Sequence, residues 1–151
     1  MDVSGSRANW VAEADSTLPS RIPKTRVRES EAQAHVLIVE DNELVTAALR
    51  ILFETTGRRV TVAHTVAEAV EKGCSDPPDL VLLDLTLPDG DGLEVPASLK
   101  RRGVAPKAMV ALTGRDDPES LARCSAAGIT AVMVKPVPTK ELLRRAKEWL
   151  A

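Results

Sequence analysis

Four short apolar runs constrain the fold of this chain most, because each run ends on a residue that phosphoryl chemistry can use. The runs are rich in valine and leucine, which is typical of strands buried on both faces of a parallel sheet. Such sheets bind ligands at the carboxyl ends of their strands. The runs are His35-Val36-Leu37-Ile38-Val39 before Glu40-Asp41, Leu80-Val81-Leu82-Leu83 before Asp84, Met109-Val110-Ala111-Leu112 before Thr113, and Ala131-Val132-Met133-Val134 before Lys135-Pro136.

If these runs are neighbouring strands, several polar side chains converge on one edge of the sheet. They are the carboxylates of Glu40, Asp41 and Asp84, the hydroxyl of Thr113 and the ammonium of Lys135. Mg2+ prefers oxygen ligands and keeps several waters, so a few protein ligands suffice. The pattern therefore predicts a site for Mg2+ and phosphate. The alternative is that the acids are solvated or helix-capping side chains and that the lysine is a solvated surface residue, but their placement at separate strand ends favours a site.

From His35 onward the sequence alternates strand and helix five times. This alternation predicts an α/β fold, a parallel sheet with helices on both faces. Thr65 and Asp117 are predicted helix N-caps, and Pro118 follows at a first helical position. Helices are expected over 42–56, 65–72, 92–102, 118–127 and 138–150, and strands near 35–40, 59–63, 79–84, 107–112 and 130–134. Glycines where helices should stop are Gly57, Gly73, Gly103 and Gly128.

Residues 1–34 lie outside this alternation and are polar, with five basic and five acidic side chains. We expect a disordered N-terminal extension there and one domain over 35–151. The locally basic part, 21–28, has no aromatic residue, and the net charge is −2, so neither nucleic acid nor a membrane is an expected partner. The first residues lack the apolar core of a signal peptide, and no apolar stretch approaches transmembrane length, so a cytoplasmic protein is expected. Cys74 and Cys124 make no metal pattern and are expected to be reduced thiols near helix ends.

Taken together, the motifs resemble the receiver domain of the two-component response regulators. The resemblance covers about residues 35 to 150. It includes Glu40-Asp41, Asp84, the loop Leu87-Pro88-Asp89-Gly90-Asp91-Gly92, Thr113-Gly114 and Lys135-Pro136, all in the family's order. It implies a flavodoxin-like (βα)5 fold with five parallel strands in the order 2-1-3-4-5. Only Ala151 follows the last predicted helix, so the expected type is a single-domain regulator.

The resemblance also implies a function and partners. A histidine kinase or a phosphotransfer protein would phosphorylate the domain, and a downstream protein of unknown identity would bind the altered surface. The chain would then be a phosphoacceptor that assists only its own phosphorylation and dephosphorylation, and not an enzyme with a separate substrate. Mg2+ would be the cofactor.

Roles at the site follow from the same resemblance. Asp84 would be the phosphoacceptor, since an aspartate carboxylate can take a phosphoryl group as an acyl phosphate. Asp41 and Asp84 would bind Mg2+ directly, Glu40 would bind it through water, and the backbone carbonyl of Thr86 would be a further ligand. The loop glycines are expected to serve turn geometry rather than phosphate binding.

Lys135 would contact the acyl-phosphate oxygens and, without phosphate, pair with Asp84. The peptide bond to Pro136 is typically cis in this family, and Thr113 would hydrogen-bond a phosphoryl oxygen through its hydroxyl. Gly114 would leave the backbone room to approach the phosphate. Many receivers have a tyrosine or phenylalanine where this chain has Val132. The aromatic half of the usual switch is therefore absent, and the expected switch region consists of Thr113 and Val132.

Thr86 and Arg115 occupy the positions that flank the path of the attacking water in receivers. Thr86 is too short to hold that water well, and the guanidinium of Arg115 could lie across the phosphoryl group. We therefore expect slow loss of phosphate. The alternative is that Arg115 points into solvent.

Two other function classes are weighed against phosphoacceptance. A Mg2+-dependent phosphatase of the haloacid-dehalogenase type also uses an aspartyl phosphate, but Asp84-Leu85-Thr86 lacks that family's second acid and the acid pair here precedes the nucleophile. A phosphorylation-independent interaction module with the receiver fold is the other alternative. It is disfavoured because every site residue is present.

Overall fold

A computed structural model describes residues 34–114 and 117–151 of the chain. Its main sheet contains five parallel strands in the order β2-β1-β3-β6-β7. A two-stranded antiparallel ribbon, β4-β5, follows β3. The strands are β1 (His35–Val39), β2 (Arg59–Ala63), β3 (Leu80–Asp84), β4 (Thr86–Leu87), β5 (Gly90–Asp91), β6 (Ala108–Thr113) and β7 (Ala131–Val134). With the sheet strands counted alone the order is 2-1-3-4-5, so the predicted flavodoxin-like fold is confirmed.

Helices connect the strands and cover both faces of the sheet. They are α1 (Glu43–Glu54), α2 (Val66–Ser75), α3 (Glu94–Arg101), α4 (Pro118–Ala126) and α5 (Thr139–Leu150). Alternate residues of a strand point to opposite faces, so Ile38 packs in a cluster with Phe53 of α1 and Leu142 of α5. Its neighbour Leu37 packs in a second cluster with α2 and with Leu99 of α3. The apolar runs of β1 and β3 are buried throughout because they lie inside this sandwich.

The predicted helix starts are confirmed where the N-cap side chain bonds an amide of the helix that it begins. The Thr65 hydroxyl accepts a hydrogen bond from the Glu68 amide at 3.0 Å, and the Asp117 carboxylate accepts one from the Ser120 amide at 3.2 Å. Pro118 is the first residue of α4. Three of the predicted glycines lie two or three residues after a helix end, with φ angles of +87°, +80° and +83° that favour glycine. They are Gly57, Gly103 and Gly128.

Gly73 is the exception, and the prediction that it ends a helix is wrong. Helix α2 continues through it to Ser75. A Cβ added at Gly73 would lie 2.9 Å from Cδ2 of Leu99. Glycine is present here because α2 and α3 pack closely together, and the helix ends instead before the pair Pro77-Pro78, which cannot continue it.

Cys74 and Cys124 lie near the ends of α2 and α4, as predicted, and both are free thiols. Among the described helices, none has both the length and the apolar character needed to cross a bilayer. The predicted N-terminal extension falls almost entirely on residues 1–33, outside the described residues, and its disorder stays a prediction.

Candidate functional site

Three carboxylates meet where β1 and β3 end side by side. Val39 pairs with Leu83, so Glu40-Asp41 and Asp84 follow at the same edge of the sheet. Each offers an oxygen, and these oxygens all lie within 4.8 Å of one another. Glu40 and Asp84 are buried, whereas Asp41 is exposed. The structure therefore brings the predicted acids together into one cluster that solvent can reach through Asp41.

Both oxygens of Glu40 already have hydrogen-bond partners. Oε1 accepts from Nζ of Lys135 at 2.8 Å, and Oε2 accepts from the amide of Asn42 at 3.1 Å. The pKa of Glu40 is raised above its usual value, chiefly because burial disfavours its charge and also because the Asp84 carboxylate lies beside it. The bonds from Lys135 and Asn42 oppose that rise without cancelling it.

Lys135 is held at the end of β7 by a hydrogen bond from its amide to the Thr113 carbonyl, at 2.7 Å. Its peptide bond to Pro136 is cis, as the resemblance implied. Nζ lies 3.4 Å from Oδ2 of Asp84 but only 2.8 Å from Glu40. The expected ion pair with Asp84 is therefore present, and the ammonium also hydrogen-bonds Glu40, the more deeply buried acid, whose charge most needs a partner. Burial lowers the pKa of Lys135, but the bond to Glu40 and the two negative charges outweigh it, so the pKa is raised.

The backbone around Asp84 is fixed by the segment that follows it. The Thr86 amide donates to Oδ1 of Asp84 at 3.1 Å, and the Gly92 amide donates to the Leu85 carbonyl at 2.9 Å. A Cβ on Gly92 would lie 2.1 Å from the backbone oxygen of Asp84. Gly92 therefore does more than shape a turn, because only a glycine lets the chain return this close to the phosphoacceptor candidate.

The remaining predicted site residues lie around the cluster. Thr113 is buried at the end of β6, and Val132 is half-buried in β7 opposite Ala111. Gly114 is exposed, and a Cβ there would meet nothing within 4 Å. Arg115 lies outside the described residues, so its proximity to the site stays a prediction.

Sequence reasoning missed Asn42 as a site residue. Its amide supports Glu40, and its side-chain oxygen accepts from the amides of Leu44 at 2.9 Å and Val45 at 3.2 Å, which caps α1. An asparagine directly before a predicted helix is a recognisable N-cap signal. Asn42 thereby fixes the acid pair relative to the start of α1.

Fold and site together define a class of protein: a doubly wound domain with an acidic cluster and a paired lysine at the carboxyl edge of its sheet. The family model of the response regulator receiver domain matches residues 36–147. The chain belongs to the response regulator receiver domain family.

Relatives in sequence are longer than this chain. A putative transcriptional regulator from Pseudomonas aeruginosa is 38% identical over 117 residues, which are 77% of this chain and 56% of that protein. The KDP operon transcriptional regulatory protein KdpE from Escherichia coli is 34% identical over 113 residues, 75% of this chain and 49% of its own. The chain thus spans about half the length of these curated relatives.

Solved structures of similar fold superpose on this chain over most of its length and most of their own. A CheY-like receiver domain protein from Methanospirillum hungatei is 30% identical with a TM-score of 0.72, over 78% of this chain and 94% of that one. The receiver domain of the sensor histidine kinase PA1611 from Pseudomonas aeruginosa is 25% identical with a TM-score of 0.71, over 78% and 98%. That structure has a magnesium ion coordinated in its active site cleft.

Proposed function

We propose that this chain is a phosphoacceptor in which Asp84 takes a phosphoryl group from a histidine kinase or a phosphotransfer protein in a Mg2+-dependent reaction. One observation carries the proposal. The carboxylates of Glu40, Asp41 and Asp84 offer oxygens within 4.8 Å of one another, and the Lys135 ammonium lies 2.8 and 3.4 Å from two of them. Three clustered acids with one cation leave negative charge that a divalent cation would neutralise.

The donor set fits Mg2+, because every available side-chain ligand is a carboxylate oxygen. Asp41 and Asp84 would hold the ion directly, and the Thr86 carbonyl would add a ligand. Glu40 would act through water, since Lys135 and Asn42 already occupy its two oxygens. When bound, Mg2+ supplies neutralisation of the charge on the transferring phosphoryl oxygens.

Three side chains have separate roles in the transfer of the phosphoryl group. A carboxylate oxygen of Asp84 forms the new bond to phosphorus while the bond between phosphorus and the donor's imidazole nitrogen breaks, so the product is an acyl phosphate and a neutral histidine once a proton reaches the leaving nitrogen. Lys135 moves its contact from the acids to a phosphoryl oxygen. The Thr113 hydroxyl donates to another phosphoryl oxygen.

Phosphorylation would shift an equilibrium between existing conformations and so change a protein-binding surface. With Val132 in place of an aromatic residue, we expect the change to lie mainly in residues 114–118 and in α4. Amide exchange with and without beryllofluoride measures it, and larger changes around Val132 and α5 would contradict the expectation. Two relatives are named transcriptional regulators, so the absence of a nucleic-acid partner stays a prediction.

Labelling by acetyl phosphate tests the proposal. With Mg2+ present, wild type should take up phosphate, Asp84→Asn should not, and Asp41→Ala should lose labelling while remaining folded. Asp76→Asn is the matched control, since Asp76 lies at the far end of α2 and pairs with Arg59. Equal labelling of wild type and Asp84→Asn would overturn the proposal.

The same variants separate the two alternative classes. Turnover of small phosphate esters would favour a phosphatase. Failure of wild type to be labelled, together with undiminished partner binding by Asp84→Asn, would favour a phosphorylation-independent interaction module.

A further inference from the structure

The ribbon β4-β5 determines where the Thr86 carbonyl lies relative to Asp84. It begins two residues after Asp84, and Thr86 pairs with Asp91 across it. The Thr86 amide donates to the Asp84 carboxylate at 3.1 Å. Any displacement of the ribbon therefore displaces both a proposed Mg2+ ligand and a hydrogen-bond donor to the phosphoacceptor.

On one side the ribbon is anchored to α2. Asp89, in the turn of the ribbon, accepts hydrogen bonds from the amides of Val66 at 2.8 Å and Ala67 at 3.1 Å. These are orphan amides of the first turn of α2, which a carboxylate satisfies well. The pKa of Asp89 is lowered because the two amides stabilise its charge. The turn of the ribbon is thus fixed to a helix that packs on the sheet.

On the other side the ribbon is joined to α4 by an ion pair. One oxygen of Asp91 accepts from the Leu93 amide at 2.9 Å, just before α3. The other pairs with the guanidinium of Arg123 in the last turn of α4. Arg123 precedes Cys124, which is buried against the domain. A single carboxylate at the end of the ribbon therefore contacts both the start of α3 and α4.

We infer that the Asp91–Arg123 ion pair is a positioning link that couples α4 to the ribbon carrying Thr86. The inference rests on the proposed function, because it gives the reaction at Asp84 a route to α4. Asp89 holds the turn of the ribbon on α2. A shift of Thr86 toward a ligand therefore displaces its pairing partner Asp91, and Asp91 in turn displaces Arg123. Linkage is reciprocal, so the position of α4 also alters how well the ribbon presents Thr86.

The expected size of the coupling follows from the exposure of the pair. The side chains of Arg123 and Asp91 are 50% and 37% exposed. Ion pairs that are this exposed are weak. Breaking the pair should therefore change the equilibrium that couples α4 to the ribbon by about two- to fivefold, and not by orders of magnitude. Screening by salt should reduce it further.

Hydrogen exchange on the full-length, metal-free protein tests the link without relying on phosphorylation. Arg123→Gln and Asp91→Asn should each raise amide exchange in residues 86–91 by about two- to fivefold, and Arg123→Lys should restore the wild-type rates. Arg144→Gln is the matched control, because it breaks a comparable exposed ion pair on α5. Unchanged exchange over 86–91 in Arg123→Gln, or equal effects of Arg144→Gln, would overturn the inference.

A Mg2+ titration followed by amide chemical shifts provides the second arm. In wild type, the residues of α4 near Arg123 should respond with the same midpoint as Thr86. In Arg123→Gln the response of α4 should fall about two- to fivefold while that of Thr86 persists; an undiminished α4 response would overturn the link and leave the proposed function intact. If wild-type Thr86 does not respond at all, the proposed function fails, and the exchange result alone decides the link.

Discussion

Gly92 offers the sharpest test of how the backbone positions Asp84. A Cβ added there would lie 2.1 Å from the backbone oxygen of Asp84 and 2.9 Å from Cα of Leu85. Real Cβ atoms essentially never approach a neighbour closer than 3.0 Å. Gly92→Ala must therefore move the backbone at Asp84 or the returning loop by about 0.9 Å, the difference between 3.0 and 2.1 Å.

That displacement sets the expected magnitudes. A misplacement of about 1 Å in a reacting group costs on the order of a hundredfold in rate. The strain of forcing a methyl group against backbone costs about 1–3 kcal/mol of unfolding free energy, or roughly 4 °C of Tm per kcal/mol. The labelling rate should therefore fall by more than the loss of folded protein can explain.

The assay is the initial rate of labelling by acetyl phosphate with saturating Mg2+, measured well below the melting transition of each variant. Gly73→Ala is the matched control, because its added Cβ meets the side chain of Leu99 at 2.9 Å rather than the backbone of Asp84. It should change Tm but label at the wild-type rate. A wild-type labelling rate in Gly92→Ala would show that the close approach of Gly92 does not position Asp84.

The Asp89 cap, the path of the attacking water and the N-terminal residues can each be tested by substitution or deletion. Asp89→Ala should lower Tm at neutral pH because the amides of Val66 and Ala67 lose the carboxylate that accepts their hydrogen bonds. Because the pKa of Asp89 is lowered in the folded protein, its carboxylate stabilises the fold fully only at pH values above 3.8, its ordinary pKa. The Tm values of wild type and variant should therefore converge as the pH falls below 3.8. A Tm difference that does not change with pH would argue against the cap. Thr86→Asn and Arg115→Ala should each speed the first-order decay of phosphorylated protein after donor removal, and unchanged decay in both would show that neither side chain gates the water. Deletion of residues 1–30 should leave Tm and labelling unchanged, and a large loss in either would show that this segment packs on the domain.

The strands and the clustered acids were predictable because both depend on local pattern. A continuous apolar run marks a buried parallel strand, and the residue after it must lie at the carboxyl edge of the sheet. Thr65 and Asp117 could be assigned as caps because they bond amides three residues away. These features need no knowledge of what packs against them.

Other features depend on contacts that the sequence does not reveal. Gly73 has the local appearance of a helix terminator, and only the approach of Leu99 shows why a glycine is needed there. Asp89 caps a helix that begins 23 positions earlier, and Asp91 pairs with a residue 32 positions later. Their loop resembled the family motif, but the motif carries no information about which helices the carboxylates contact.

The pairing of Lys135 with Asp84 was predicted, but its shorter contact with Glu40 could not be read from the sequence. Glu40 follows β1 and Asp84 ends the adjacent strand β3, and both are acids within reach of the ammonium. Which of them accepts the shorter contact depends on relative burial, and Glu40 is the less exposed, at 2% against 9% for Asp84. Burial at a strand end is set by the surrounding loops, which the apolar pattern does not describe.

Chemical mapping of the phosphorylated residue decides whether Asp84 is the phosphoacceptor. Protein treated with acetyl phosphate and Mg2+ is reduced with borohydride, which converts an aspartyl phosphate to homoserine, and its peptides are sequenced by mass spectrometry. Phosphorylation of Asp84 predicts homoserine at position 84 and nowhere else, with the yield lost when Mg2+ is chelated or when Asp41 is replaced by alanine. Homoserine at another acid, or the same yield at position 84 without Mg2+, would contradict it.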